Sequence, residues 1–173
     1  QAVSRGLGDV YKRQSMSSIL KVDTIQDQQG NLIISKDSGG GGFLSPYASA
    51  SAPIVYTVTV ATKTTGHPYH NVGSSNAYVI NGIEAPIIEL KGNDTSKPYY
   101  YKFDQSDGTN AGHPLRFYNN VGKSTQFTTG VTTSGTPGQA GAHTTIAVDK
   151  DTPSILYYQC SVHANMGNHT IHH

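Results

Sequence analysis

From Tyr56 onward, apolar side chains fall on every second residue with polar ones between. Tyr56, Val58 and Val60 alternate with Thr57 and Thr59, so one face of an extended segment can be buried while the other stays wet. The pattern returns in Tyr99, Tyr101 and Phe103, in Leu115 and Phe117, and in Thr144, Ile146 and Val148. Nowhere do apolar residues recur at helical spacing over three turns, which points to an all-β class. Residues 78–80, Asn81-Gly82 and residues 83–90 read as strand, turn, strand, because Asn-Gly supplies the positive φ that a tight hairpin demands. Pro86 in the second arm has no backbone N–H, so an edge strand or a bulge is expected there. Residues 125–129 and 155–159 complete about eight short strands, the pattern of a Greek-key β-sandwich of about 115 residues.

The remainder of the 173 residues is too sparse in apolar side chains for a second core. Residues 16–38 hold two short apolar stretches around a Gln-Gln-Gly-Asn turn, too small to fold alone. Residues 39–54, with Gly39 to Gly42 and then a Ser/Ala/Pro run, have the composition of a flexible linker. Residues 55–173 form the expected domain. Asp-Val-Tyr-Lys-Arg-Gln at 9–14 resembles a translated sequencing adapter, so residues 1–15 are set aside from the fold and Met16 is the expected native start.

A formal charge of +1, with lysines and arginines scattered, supplies no phosphate-neutralising stripe, so a nucleic-acid partner is not expected. No apolar run approaches the roughly 20 residues of a membrane span, and no secretion signal is read. The single cysteine excludes an internal disulfide framework; it must be an inert buried thiol, a nucleophile or a metal ligand.

The stretch that decides among these is Tyr-Tyr-Gln-Cys-Ser-Val-His-Ala-Asn-Met-Gly at 157–167. A strand delivers Cys160 at its end, and the following turn presents His163 three residues later and Met166 three after that. A fourth donor is expected from a distant strand, and His113 in Gly-His-Pro-Leu-Arg-Phe fits, opening a strand whose Leu115 and Phe117 point inward. Cysteine and two histidines in a plane with a weak axial methionine are the ligand set of a blue-copper electron-transfer centre. Zinc could take His113, Cys160 and His163, but has little use for a thioether.

Cys-x-x-His-x-x-Met, an upstream histidine at a strand start and about eight strands resemble the cupredoxin family, with the short ligand loop of its amicyanin-type members. Phe-Asp-Gln-Ser-Asp at 103–107, Gly-His-Pro-Leu-Arg-Phe-Tyr at 112–118, Thr-Thr-Gly-Val-Thr-Thr-Ser-Gly-Thr-Pro-Gly at 128–138 and Tyr-Gln-Cys-Ser-Val-His at 158–163 resemble cupredoxin-like domains of marine phages. The resemblance implies one copper per chain, cycling between Cu(I) and Cu(II), with an unidentified redox partner. Leu-Lys-Val-Asp-Thr-Ile-Gln at 20–26 resembles the leader of marine-phage tail-fibre and other virion proteins. That likeness implies virion partners engaged through residues 16–38, and a virion or extracellular location. Many cupredoxins place asparagine after the first histidine, where its N–H donates to the cysteine sulfur. Pro114 has none to give, so a lower potential is expected here.

Two other readings stand beside the electron carrier. One is a structural or adhesive virion domain that keeps the fold without a redox role. The other, a copper oxidase or nitrite reductase, needs further His-rich copper centres, and the chain is not expected to be an enzyme. It lacks a nucleophile elbow, a phosphate-binding glycine loop before a helix and a His-Glu-x-x-His motif. His67 and His70 flank Pro68 in an extended loop and read as a poor second metal pair. His143 reads as an ordinary exposed or hydrogen-bonded histidine, and His169, His172 and His173 as terminal residues able to scavenge metal nonspecifically. Asp104 and Asp107 read as turn formers.

Overall fold

The computed structural model describes residues 24–26, 32–35, 49–92 and 98–172. The chain divides into two units, residues 1–47 and 48–173. In the first, β1 (Thr24–Gln26) pairs antiparallel with β2 (Leu32–Ser35), Ile25 facing Ile34. These are the two apolar stretches expected around a turn; the turn itself, residues 1–15 and residues 39–48 of the expected linker lie outside the described residues.

In the second unit the strands are β3 (Ile54–Thr62), β4 (Asn76–Ile80), β5 (Ile83–Glu84), β6 (Ile88–Leu90), β7 (Tyr99–Asp104), β8 (Leu115–Tyr118), β9 (Gln126–Phe127), β10 (Val131–Ser134), β11 (His143–Val148), β12 (Ile155–Cys160) and β13 (His169–His172). They form two mixed sheets packed as a sandwich, in the orders β10-β11-β7-β3-β4-β5 and β6-β13-β12-β8-β9. The β3–β7 and β6–β13 pairs are parallel; the others are antiparallel. Among the described residues the one helical element is a 3-10 turn, Gly108–Asn110, and no helix is long and apolar enough to cross a membrane. Asp107 caps that turn, its carboxylate accepting the Thr109 N–H at 2.9 Å, and Asp104 accepts the Ser106 N–H at 2.9 Å. Both aspartates are the turn formers they were read to be.

Alternation in sequence becomes burial in space. Tyr101, Phe103, Leu115, Phe117, Ile146, Val148, Leu156 and Tyr158 are buried, and the rings of Phe103 and Phe117 meet edge to face across the two layers at 5.4 Å. The expected strand at 83–90 is instead two. Asn81 and Gly82 take the positive φ values of a tight hairpin, and β5 runs back along β4. At Ala85-Pro86 the chain then leaves this sheet, Ala85 itself at φ 39°, and β6 joins the edge of the other sheet. Pro86 marks a crossing between layers, where its missing N–H costs no ladder bond. Two strands were not anticipated. β10 is an edge strand with an exposed face, and β13 buries Thr170 between His169 and Ile171; neither carries an apolar alternation.

Candidate metal centre

Cys160 ends β12, and β12 runs antiparallel beside β8 with Cys160 facing Leu115. The end of one strand therefore meets the beginning of the other. His113 sits two residues before β8, so the pairing brings it opposite the loop that follows Cys160. The ladder continues one step beyond the strands, the Ser161 N–H donating to the Pro114 carbonyl at 2.9 Å. A separation of 47 residues in sequence thus closes to neighbouring positions in one sheet.

The sulfur of Cys160 lies 3.9 Å from His113 Nδ1 and 3.6 Å from His163 Nδ1. All three donor atoms fall within 4.8 Å of one another, a group able to hold a metal ion. The two imidazoles face each other with centroids 4.6 Å apart. One ion bonded at about 2.3 Å to sulfur and about 2.0 Å to nitrogen, at angles of about 110–120°, needs S···N edges of about 3.5–3.8 Å. Of the observed edges, 3.6 Å lies inside that range and 3.9 Å just above it, so the donors are close to the geometry of a single ion. Burial, and next the facing His163, hold His113 below the usual histidine pKa, which favours the neutral ring a ligand requires. The thiol is fully buried, and the His163 N–H points at its sulfur from 3.3 Å.

Met166 closes the loop with a fully buried side chain counted in the hydrophobic core, as Cys160 is. Its carbonyl accepts the Tyr78 N–H at 2.7 Å and contacts His67 Nε2 at 3.3 Å. The Ala164 carbonyl accepts the Ser74 N–H at 2.9 Å. The loop is thus tied to the chain around β4, and His67, whose Nδ1 accepts the Tyr69 N–H, is a bracing residue. No family model, curated protein or solved structure matches the chain.

Three residues that support the site carry no signal in the sequence. The phenol of Tyr78 donates to the His113 carbonyl at 2.8 Å, and the Gln105 amide donates to the same oxygen at 2.9 Å while its carbonyl accepts the Leu115 N–H. Burial, followed by the neighbouring Cys160 thiol, drives the Tyr78 hydroxyl far above its ordinary pKa, so it stays a neutral donor. Lys123, in the turn between β8 and β9, donates to the carbonyls of Cys160, Ser161 and His163. Neither a buried glutamine nor a turn lysine has a periodicity that would reveal it.

The other histidines do different work. His143 Nδ1 contacts the Gly141 carbonyl at 2.8 Å, His169 Nδ1 the Asn168 side chain at 2.9 Å and His172 Nδ1 the Thr152 carbonyl at 2.9 Å. His173 lies outside the described residues. Among the described residues no second group of three or more His, Cys, Asp or Glu is close enough to hold a metal.

Proposed function

We propose that His113, Cys160 and His163 hold one copper ion, with Met166 as a weak axial partner, and that the domain is a cupredoxin-type carrier of one electron. The observation that carries this reading is the pair of sulfur–nitrogen edges, 3.9 and 3.6 Å, between one buried thiol and two imidazoles, of which that of His163 is open to solvent. A thiolate and two neutral imidazoles suit copper in either oxidation state, and the thioether in the same loop favours copper over zinc. Copper would supply the Cu(II)/Cu(I) couple; the protein supplies donors braced by strands and by backbone hydrogen bonds, so the two states share one geometry. The Tyr78 and Gln105 bonds to the His113 carbonyl serve that end. The leader at 16–38 and its likeness to virion proteins support a module carried on a phage structural protein.

Addition of Cu(II) to the purified chain is expected to give an intense blue or green thiolate-to-copper band at one copper per chain, lost in Cys160→Ala. A colourless protein without stoichiometric copper removes the reading. The membership of Met166 in the hydrophobic core favours a second reading, a structural virion domain with this fold and no redox role. Met166→Leu separates the two: an axial thioether makes the band and the potential move, whereas a purely packing methionine leaves both unchanged. Uptake of zinc alone favours the structural reading.

A further inference from the structure

We infer that Lys123 is the positioning residue of the metal loop, its ammonium holding the 160–163 backbone in the conformation that aims the thiol and the imidazole at one point. The inference rests on the reading of His113, Cys160 and His163 as a metal centre. Lys123 Nζ lies 2.8 Å from the carbonyl oxygen of Cys160, 3.3 Å from that of Ser161 and 3.2 Å from that of His163. An ammonium has three N–H donors and no acceptor, so its full donor capacity goes to this one loop. Among the described residues its Nζ has no carboxylate within ion-pairing distance. Within the protein the charge is therefore met by carbonyl dipoles, and charge-assisted bonds of this kind are stronger than neutral ones.

The clamp comes from outside the loop. The turn at 120–124 is built by Asn120, whose side chain accepts the Ser124 N–H and donates to the Ser124 hydroxyl, and whose carbonyl accepts the Lys123 N–H. Lys123 itself sits at φ 59°, where glycine or asparagine is more at ease than a residue with a long side chain. Nothing in the turn calls for lysine; the loop opposite does. Beyond Ser161 the chain leaves the sheet, where a strand would provide ladder partners for its carbonyls. Lys123 replaces those partners with one fixed cation. A positive charge held beside the ligand backbone also disfavours the more highly charged metal state, and so favours Cu(I) relative to Cu(II).

The test compares the full chain with Lys123→Asn, which tolerates the positive φ and removes the ammonium, and with Lys123→Arg, which keeps the charge. Wild type and K123N are each expected to bind one copper. In K123N the thiolate-to-copper band should move, and the ratio of Cu(I) to Cu(II) affinity should fall about tenfold, which is ~59 mV for a one-electron couple. K123R should recover most of that ratio. In the metal-free proteins, the Ser161 and His163 amides should exchange with solvent about tenfold faster in K123N. Superimposable spectra and equal potentials for K123N and wild type overturn the inference, as do unchanged exchange rates. A wild-type protein that takes up no copper overturns the copper reading instead, and the exchange comparison alone then decides whether Lys123 holds the loop.

Discussion

The carbonyl oxygen of His113 receives two buried donors, the Tyr78 phenol and the Gln105 amide, and a carbonyl has two lone pairs to match them. Losing one donor leaves that oxygen still bonded. Tyr78→Phe is therefore expected to destabilise the fold by about 1 kcal/mol in chemical denaturation. Gln105→Leu should cost more, about 1–3 kcal/mol, because the Leu115 N–H is orphaned at the same time. His67 gives a pH signature of its own. Burial holds its pKa below the unfolded value of 6.5, so at low pH the unfolded chain takes up a proton that the folded chain resists. Stability is then complete above about pH 6.5 and declines as the pH falls below it toward the folded pKa. Urea midpoints at pH 7.5 and 5.5 should differ more for wild type than for His67→Gln. At the site the sequence made only the proposed ligands visible. Cys160, His163 and Met166 stand at fixed spacing, and His113 precedes a strand with an inward Leu115 and Phe117. The supports are single side chains from unrelated turns and strands, and only the closed fold defines what they touch.

Individual elements show where alternation is informative and where it is silent. β7, β8, β11 and β12 place large apolar residues on one face and are readable from their own residues. β10 is not, because a strand at the edge of a sheet with an exposed face needs no apolar row. The split at Pro86 was readable only in part: the proline announced an interruption, but nothing local says that the chain changes sheets there. Two glycines mark places where an element has no room to vary. Gly82 has φ 82° in the β4–β5 turn, so Gly82→Ala should cost about 1–2 kcal/mol through backbone strain alone. Gly167 follows Met166 directly, and a Cβ there would lie 1.9 Å from the Tyr158 carbonyl oxygen. Gly167→Ala must therefore push the end of the loop away from β12. A Cu(II) titration of this variant should show weakened uptake, with a larger loss of thermal stability than Gly82→Ala produces.

At the scale of the molecule, both sheets and all three polar donors of the centre belong to residues 48–173. A fragment starting at Ala48 is expected to unfold in a single cooperative transition and to bind the same amount of copper as the full chain. Uptake that disappears in the fragment would show that the first unit is needed. Phe117 fills the space between the layers against Phe103, so Phe117→Ala should cost about 3–5 kcal/mol in equilibrium denaturation. The order of strands also governs when the site comes into being. β12 lies between β8 and β13, and it carries the thiol at the edge where β8 begins. During synthesis His113 emerges well before the strand that must lie beside it, and no earlier segment supplies a thiol. For the proposed metal centre, the growing chain thus offers no thiolate until β12 is made, and loading would wait for the final third of the domain to dock.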